Sequence, residues 1–263
     1  MPPVRRRLAL ANQKGGVGKT TTAISLGAFL AAKGERVLLL DTDPQANATS
    51  GLGFDKWRLA RSTYDVLIGS CSAAEAIVPT SRRGLELLPA SPHLAAAEVE
   101  LTGRDGREAV LRRALEPVQG AYDFILLDCP PSLGLLTVNA LAAATDVIVP
   151  VQCEYLALEG LSLLLNTVER VRDSLNPSLR VFGILMTMFD PRTNLSEQVV
   201  QEVRQHYPEA VFQTVIPRNV RLSEAPSYGL SILDYDAASR GASSYDALAD
   251  EALERAAALA PAV

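Results

Sequence analysis

A glycine-rich segment near the start of the chain carries the residues with the most specific chemistry. It reads Lys-Gly-Gly-Val-Gly-Lys-Thr-Thr over residues 14–21. In a phosphate-binding loop, glycines let main-chain N–H groups turn toward phosphate oxygens, a lysine neutralises the β- and γ-phosphates, and a threonine hydroxyl binds Mg²⁺. We therefore predict a site for ATP or ADP with Mg²⁺, formed by Lys14, Gly15, Gly16, Val17, Gly18, Lys19, Thr20 and Thr21.

The spacing of this segment departs from the strict phosphate-loop pattern. That pattern demands glycine at position 13, where Gln13 stands, and a second lysine, Lys14, precedes the glycine pair. An incidental glycine-rich turn is the alternative, but a strand-like run at residues 8–11 and a helical pattern at residues 20–33 flank the segment. This context favours a phosphate-binding loop of a deviant type.

Two acidic strand ends strengthen the prediction of a magnesium site. Asp128 ends the apolar run 124–128, and Asp41 and Asp43 follow the run 37–40. Mg²⁺ prefers oxygen ligands, and phosphoryl transfer needs a group that orients the attacking water. We predict Thr20, Asp128 and Asp41 as metal ligands. The alternative is that the aspartates only cap turns.

The strands that would position these residues can be recognised in the sequence as apolar runs. Continuous apolar runs are typical of strands covered by helices on both faces, and here they alternate with helical patterns. The predicted fold is α/β, a doubly wound, mostly parallel sheet with helices on both faces. The predicted strands are residues 8–11, 37–40, 85–88, 124–127, 147–151, 181–185 and 211–216, and the predicted helices are residues 20–33, 107–118, 133–143, 158–174 and 196–206.

The chain length and the absence of a composition break predict one domain over residues 1–263. Within it we expect a flexible basic N-terminus at residues 1–6 and a C-terminal helix at residues 243–263 that packs against the sheet. Gly34 is a predicted helix C-cap, and Pro177 and Pro208 are predicted to stop two later helices.

Composition excludes several classes of protein. Hydrophobic residues make up 48% and charged residues 21%, as in a globular protein, and no run approaches a membrane span. No apolar core of a signal peptide follows the N-terminus, so we expect a cytoplasmic protein. The three cysteines lie far apart, which favours buried thiols over a disulfide framework or a zinc site. A net charge of −5 argues against a wholly basic surface that coats nucleic acid.

Three motifs together resemble the ParA/Soj chromosome-partitioning ATPases of the deviant Walker A class. They are the glycine-rich segment 14–21, Asp-Thr-Asp-Pro-Gln-Ala-Asn at residues 41–47, and Asp-Cys-Pro-Pro-Ser at residues 128–132. The resemblance extends through residues 149–155 and 216–226 and covers the chain from Arg7 to the final helix.

The resemblance implies an ATP-driven homodimer in which two subunits sandwich two nucleotides. Lys14 of each subunit would reach the partner's phosphates, as an arginine finger does, and Lys14, Lys19 and Asp43 would be the catalytic residues, with Asp43 positioning water. Residues 187–190 occupy the place where many relatives carry an asparagine for the base, so adenine selection would rest more on Asn219. The residues implied in adenine contact are Pro217, Arg218 and Asn219.

The resemblance also implies two macromolecular partners. ATP-bound dimers of this family bind double-stranded DNA without sequence preference, and a ParB-type centromere-binding protein with a basic N-terminal segment stimulates their hydrolysis. A basic stripe formed across the dimer would bind DNA despite the acidic total charge, and the protein would be nucleoid-associated. The candidate DNA-binding residues are Arg192, Arg218 and Arg221, with ordinary solvated arginines as the alternative.

Three other functions were weighed against partitioning. A MinD-like membrane-associated ATPase needs a basic amphipathic tail, whereas the charged residues of the tail here are mainly acidic. A metabolic P-loop enzyme, such as an amidoligase or a nitrogenase-like iron protein, remains an alternative, although Cys129 lacks an evident partner for a cluster. A sequence-specific repressor is disfavoured because the first strand begins by Leu8.

Overall fold

A computed structural model describes residues 6–155 and 157–259, and its centre is an eight-stranded sheet. The strand order is β3-β4-β2-β5-β1-β6-β7-β8; β3 is antiparallel to β4, and the other pairs are parallel. The strands are β1 (Arg6–Leu10), β2 (Val37–Asp41), β3 (Val78–Pro79), β4 (Leu85–Leu88), β5 (Phe124–Asp128), β6 (Asp146–Gln152), β7 (Arg180–Phe189) and β8 (Val211–Pro217).

Helices of very different lengths connect these strands. They are α1 (Lys19–Ala32), α2 (Asn47–Gly51), α3 (Thr63–Ile68), α4 (Ala73–Ala76), α5 (Leu94–Glu100), α6 (Val110–Leu115), α7 (Leu135–Ala143), α8 (Ala157–Ser174), α9 (Asn194–His206), α10 (Val220–Glu224), α11 (Ile232–Tyr235) and α12 (Arg240–Ala258). Short 3-10 turns lie at Arg107–Ala109, Gln119–Ala121 and Ala225–Tyr228.

Both faces of the sheet are covered by helices, so the predicted doubly wound fold is confirmed. Helices α1, α2 and α10 to α12 pack on one face, and α3 to α9 pack on the other. The central strand β1 serves both layers because successive side chains point to opposite faces. Leu8 and Leu10 face the α1 and α12 layer, whereas Ala9 and Ala11 face the α3 to α9 layer.

The first long helix ends where the sequence predicted, at a glycine in the left-handed region. Gly34 has φ of 95°, and its N–H donates to the carbonyl of Ala31 at 3.1 Å. The N–H of Glu35 donates to the carbonyl of Leu30, also at 3.1 Å. These two bonds form a Schellman motif, which satisfies carbonyls that the helix end would otherwise leave free.

The two ends of the chain correct the predicted boundaries. Arg6 is the first residue of β1, is buried, and pairs with Asp146 at 3.1 Å, so the prediction of flexibility was wrong for residue 6. Residues 1–5 lie outside the described residues. The C-terminal helix begins at Arg240 rather than residue 243, because Ser239 caps it by accepting a bond from the N–H of Ala242.

The structure also differs from the predicted elements in short segments that lack a long apolar pattern. The helix predicted over residues 107–118 is a 3-10 turn followed by the six-residue α6, and β3 has only two residues. Among the cysteines, Cys129 and Cys153 are buried as predicted, but Cys71 is only half-buried.

Helix α12 covers the outer edge of the sheet at β8 with two side chains. Glu251 accepts bonds from the main-chain N–H groups of Gln213 and Thr214 at 2.8 and 3.0 Å. Arg255 donates to the carbonyls of Phe182 and Val211 at 3.0 and 2.7 Å. An edge strand with free main-chain groups can pair with another chain, so α12 protects this edge.

Candidate nucleotide-binding site

The glycine-rich segment follows the central strand at the point where the order of strands reverses. Strand β1 lies between β5 and β6, and the chain adds strands to one side before β5 and to the other side from β6 onward. In open α/β sheets, ligands bind at the carboxyl ends of the strands at such a point. The fold therefore places residues 14–21 at the expected ligand crevice.

The start of α1 is suited to an anion. Gly16 and Gly18 adopt left-handed φ values of 75° and 92°, which side-chain-bearing residues rarely adopt. Helix α1 begins at Lys19 with no side-chain cap and no acidic residue in its first turn. Its first N–H groups and the positive end of its dipole are thus available for phosphate oxygens.

A cavity of about 490 Å³ opens over this loop and brings together most of the predicted phosphate and metal residues. Asp43 from the β2 end joins the predicted loop residues in its wall. Val17 is buried instead, and its carbonyl accepts a bond from the Thr187 hydroxyl at 2.8 Å, which holds the loop to β7. The lining residues are Gly15, Gly16, Gly18, Lys19, Thr20, Thr21, Asp43, Gln45, Asn47, Ser50, Gly51, Pro131, Met188, Pro226 and Ser227.

The two lysines of the loop occupy different environments. Lys19 lines the cavity, is 6% exposed, and donates from Nζ to the carbonyl of Lys14 at 3.2 Å. Burial lowers the pKa of Lys19, while the nearby Asp128 opposes that shift. Lys14 does not line the cavity; its half-exposed ammonium pairs with Glu154 at 2.6 Å. Of the two lysines, Lys19 therefore lies in the wall of the cavity and Lys14 lies outside it.

Asp128 is a fully buried carboxylate without a hydrogen-bond partner on either oxygen among the described residues. Burial raises its pKa well above the usual value, and the neighbouring Asp41 raises it further, whereas the Thr20 hydroxyl and Lys19 lower it. An isolated buried charge is costly unless a cation neutralises it. The orphaned carboxylate and the Thr20 hydroxyl fit the oxygen ligands that Mg²⁺ prefers.

Asp41, like Asp128, does not line the cavity, but its hydrogen bonding is different. It is the register neighbour of Asp128 and equally buried, but both of its oxygens are bonded within the protein. One oxygen accepts from the N–H and the hydroxyl of Thr49 at 2.9 and 2.7 Å, and the other accepts from the N–H of Asp43 at 3.1 Å. Burial raises the pKa of Asp41 to about 6. We therefore leave Asp41 out of the proposed metal ligands.

Asp43 is presented to the cavity by a tight turn. Its Oδ1 accepts a bond from the N–H of Gln45 at 2.9 Å, and its carbonyl accepts one from the N–H of Ala46 at 2.8 Å. Ala46 has φ of 52°, one of two positive values at non-glycine residues in the described part of the chain. The turn is thus strained but closely bonded around Asp43.

A second cavity of about 220 Å³ adjoins the first at Gly18 and Thr21. It is lined by Pro217, Arg218 and Asn219, the residues for which the resemblance implies adenine contact. The Oδ1 atom of Asn219 caps α10 by accepting from the N–H of Arg221 at 2.8 Å. That bond leaves the two amide N–H donors of Asn219 for a ligand.

Six further walls of this second cavity were not named individually from the sequence. Thr187 and Met188 lie in the segment 187–190 that the resemblance placed near the base, Ile216, Leu222 and Ser223 lie in the motif 216–226, and Tyr245 lies in the tail. The hydroxyl of Tyr245 bonds to the hydroxyl of Thr22 in α1 at 3.0 Å. In the sequence, Tyr245 is visible only as an aromatic residue at helical spacing in the tail, a pattern that also fits packing against the sheet. The motif that ends at residue 226 pointed to Leu222 and Ser223 only as a region.

The three candidate DNA-binding arginines separate into a pair and a single residue. Arg192 and Arg218 line one outer cavity of about 360 Å³, and Arg192 pairs with Asp190 at 2.7 Å. Arg221 is not in that cavity and forms an ion-pair network with Glu224 and Asp236 at 2.9 and 3.4 Å. In the described ranges, Arg218 has no carboxylate within ion-pair distance, so it is the freest cation of the three.

The chain is similar to known proteins over most of its length. A family model described as an AAA domain matches residues 5–181. The chain is 55% identical to the sporulation initiation inhibitor protein Soj of Bacillus subtilis, over 93% of this chain and 96% of that protein. It is 56% identical to the chromosome-partitioning ATPase Soj of Thermus thermophilus, over 95% of this chain and 96% of that protein.

A solved structure of a cobyrinic acid a,c-diamide synthase from Mycobacterium smegmatis, with bound ATP analog and magnesium, matches with a TM-score of 0.82. It is 45% identical, and the match covers 93% of both chains. The same protein has also been solved with ADP and magnesium. With relatives above 50% identity over nearly the whole length, the chain belongs to the ParA/Soj family of chromosome-partitioning ATPases.

Proposed function

We propose that this chain is an ATP-driven switch for DNA segregation. Its ATP-bound homodimer binds double-stranded DNA without sequence preference, and hydrolysis releases the DNA. The observation that carries the proposal is the separation of the two loop lysines: Lys19 lies inside its own cavity, and Lys14 lies outside it. A lysine that does not serve its own phosphates is placed to serve those of a facing subunit.

The space around Gly15 supports a subunit interface at this loop. A Cβ atom added at Gly15 would meet only the Cβ of Pro131, at 3.9 Å, and Gly15 needs no positive φ. A Cβ atom is therefore tolerated at this position within one chain, and we propose that the larger side chain of valine obstructs a facing partner. We expect Gly15→Val to bind ATP without dimerising, as measured by size-exclusion chromatography with light scattering.

We propose that hydrolysis in this switch depends on five residues. Lys19 binds the β- and γ-phosphates, Asp43 orients the attacking water, and Lys14 stabilises transition-state charge on the partner's nucleotide. Thr20 and Asp128 would hold Mg²⁺, which neutralises phosphate charge when bound. Lys19→Ala should abolish phosphate binding, whereas Asp43→Ala should retain ATP and keep the dimer closed. Normal hydrolysis by Asp43→Ala would assign that residue another role.

The base of ATP fits the second cavity. Pro217 and Arg218 supply walls there, and the free amide donors of Asn219 match the ring nitrogen acceptors of adenine. Asn219→Ala should weaken ATP binding while leaving the affinity for tripolyphosphate, which has no base, unchanged. Calorimetric titration of both ligands measures the difference.

Arg192 and Arg218 are the proposed DNA contacts, since they share one cavity and Arg218 lacks an ion-pair partner in the described residues. Arg221 remains a weaker candidate because its guanidinium is already paired. Binding through the phosphate backbone is local and salt-dependent, so it is compatible with the acidic total charge. We propose a nucleoid-associated location in the cytoplasm on the same basis.

The central experiment measures binding to random duplex DNA with ATP, ADP and no nucleotide at several salt concentrations. Arg218→Glu should lose DNA binding; because Arg218 also lines the second cavity, ATP-dependent dimerisation of the same variant, measured by light scattering, must be retained for the loss to be assigned to DNA contact. Arg83→Glu is the matched control, because it makes the same charge change between β3 and β4, toward the opposite edge of the sheet. Unchanged DNA retention by Arg218→Glu would refute the assignment of this arginine.

We further propose that hydrolysis is slow without a partner and is stimulated by a ParB-type centromere-binding protein through its basic N-terminal segment. The net charge of −5 favours attraction of a basic segment. ATP turnover with and without a peptide of that segment, in the presence of DNA, tests this part. Equal rates in both conditions contradict it.

The packing of the C-terminal helix argues against the alternative of a membrane-associated, MinD-like role. The apolar face of α12 is already buried through Tyr245, Leu248, Ala249 and Ala252, so it is not free to lie on a bilayer. Within the described ranges, every helix is too short or too polar to span a membrane. Co-sedimentation with anionic vesicles in the presence of ATP should leave the protein in the supernatant.

A metabolic enzyme is the second alternative. The structure named for a diamide synthase is 45% identical to this chain, below the 55% and 56% of the two Soj proteins. ATP turnover that depends on an amine and a carboxylic acid acceptor, and not on DNA or a protein partner, would favour this alternative.

A further inference from the structure

The turn that presents Asp43 is held from outside by a side chain that the motifs do not include. Lys56 lies on the loop after α2 and donates from Nζ to the main-chain carbonyl of Gln45 at 2.7 Å. The same peptide unit, between Gln45 and Ala46, donates its N–H to the carbonyl of Asp43 at 2.8 Å. Lys56 therefore fixes one end of a peptide plane whose other end is bonded to Asp43.

This peptide plane needs support because of the residue that follows it. Ala46 adopts φ of 52°, a left-handed conformation that is unfavourable for a residue with a Cβ atom. Such strain persists only where the surroundings over-determine the backbone. If the bond from Lys56 is lost, the peptide between Gln45 and Ala46 keeps its N–H bond to Asp43 but loses the bond that fixes its carbonyl end. The N–H of Gln45, which bonds to Oδ1 of Asp43, lies in the adjoining peptide.

The loop that carries Lys56 is itself anchored, so the reach of the lysine is defined. Gly53 packs against the backbone of Gly229 so closely that a Cβ atom at Gly229 would lie 2.6 Å from the Cα of Gly53. Asp55 then closes a turn, accepting at its carboxylate from the N–H of Trp57 and at its carbonyl from the N–H of Arg58, both at 3.0 Å. Lys56 sits within this turn.

We infer that Lys56 is a positioning residue for hydrolysis, which acts on Asp43 through the Gln45 peptide and touches neither nucleotide nor metal. The inference rests on the proposed role of Asp43. Lys56 does not line the phosphate cavity, whereas Gln45 and Asp43 do. Its loss should therefore slow the chemical step and leave ATP affinity unchanged, because the phosphate-binding groups of the loop do not depend on it.

Lys56→Met, Lys56→Arg and Arg58→Met separate this role from a general effect of charge. Arg58 is the matched control, since it is the exposed neighbouring cation and pairs with Asp55 at 3.5 Å on its own turn. In single-turnover hydrolysis of Mg-ATP by the full chain, we expect Lys56→Met to lower the rate about tenfold with ATP affinity within about twofold. Lys56→Arg should restore at least half of the rate, and Arg58→Met should match the unaltered chain.

Equal rates for Lys56→Met and Arg58→Met overturn the inference. A fall in the rate accompanied by an equal loss of ATP affinity and of the apo melting temperature also overturns it, because that pattern indicates general unfolding. Asp43→Ala, assayed in parallel, distinguishes the two levels of the argument. If Asp43→Ala hydrolyses ATP normally, the proposed function fails at Asp43; if Asp43→Ala is inactive and Lys56→Met is normal, only the role of Lys56 fails.

Discussion

The carboxyl ends of β2 and β5 lie side by side in the sheet and end in the same residue type. Asp41 and Asp128 are register partners, and both are fully buried. Yet Asp41 accepts three hydrogen bonds from Thr49 and Asp43, whereas Asp128 accepts none from the described residues. The carboxylate at one strand end is hydrogen-bonded within the fold, and the carboxylate at the other is left without a partner among the described residues.

This difference shows that burial and position do not assign a role to a carboxylate; its unsatisfied hydrogen-bonding capacity does. A bonded buried carboxylate contributes to the stability of the loop it holds. An unbonded one lowers stability and is retained where a ligand supplies the missing charge. Asp41 is thus bonded into the turn that carries Asp43, whereas the unsatisfied oxygens of Asp128 suit the magnesium ligand that we propose.

Asp128→Asn should give the largest effect, and on activity rather than stability. We expect ATP hydrolysis to fall about 10³-fold, because the metal loses its buried anionic ligand. The melting temperature of the nucleotide-free protein should stay the same or rise, since a neutral amide replaces an unpaired buried charge. A hydrolysis assay and a thermal melt of one preparation check both. A large loss of apo stability would show that Asp128 is structural, as Asp41 is.

Asp41→Ala should reverse that pattern. The N–H and hydroxyl of Thr49 and the N–H of Asp43 lose their acceptor in a buried site, so we expect a loss of about 2–4 kcal/mol in the free energy of unfolding. Urea titration of the magnesium-free protein measures it. If Asp41→Ala is as stable as the unaltered chain but no longer responds to Mg²⁺, Asp41 is a metal ligand after all and the comparison fails.

The pH dependence of the magnesium-free protein sharpens the comparison further. The folded pKa of Asp41 is about 6, above an unfolded value of about 3.9, so the folded state binds more protons between these values. Stability from this group is therefore greatest at low pH and is lost as pH rises through 6. We expect a decline of roughly 1–3 kcal/mol between pH 5 and 7.5 in EDTA, from urea titrations.

The same titration of Asp128→Asn is the control for this effect, because the charge of Asp128 and that of Asp41 disfavour each other's ionisation. Removing one carboxylate should flatten the pH profile. An identical slope in both proteins would mean that other groups, and not this pair, set the dependence on pH.

Glu154→Gln should give the smallest effect of these substitutions, because Glu154 is exposed whereas Asp41 and Asp128 are buried. Its pair with Lys14 is about half exposed on each side, and such pairs contribute only about 0–1 kcal/mol. We expect little change in stability and up to about fivefold tighter ATP-dependent dimerisation, because Lys14 is freed to face the partner. Light scattering at several protein concentrations measures it. Weaker dimerisation would show that Glu154 helps the joined state.

The sequence predicted the strands and the phosphate loop, but not the difference between the two buried aspartates. The strands could be predicted because strands buried on both faces appear as continuous apolar runs. The phosphate loop could be predicted because its glycines and Lys19 lie together in the sequence. Asp41 and Asp128 looked alike, since each ends such a run. What separates them is Thr49, on a five-residue helix whose contacts depend on the tertiary fold. Long-range contacts of this kind leave no local pattern.

For the same reason, the sequence did not identify all the residues that line the second cavity. Residues 217–219 were named by the resemblance, but Tyr245 reaches the cavity from the last helix and is fixed there by Thr22 of the first. A bond that joins residues 22 and 245 reflects how α1 and α12 pack, which periodicity cannot report. Lys56 was missed because a solvated lysine on a polar loop carries no signal of its own.

The attachment of α12 to β8 has a consequence for synthesis on the ribosome. A nascent chain that has emerged only through α11 already holds the phosphate loop, but its last strand lacks Glu251 and Arg255 and its base cavity lacks Tyr245. Such a chain would expose main-chain groups of β8 that can pair with another chain. Docking of α12 would then cover this edge and complete the wall of the second cavity in one step.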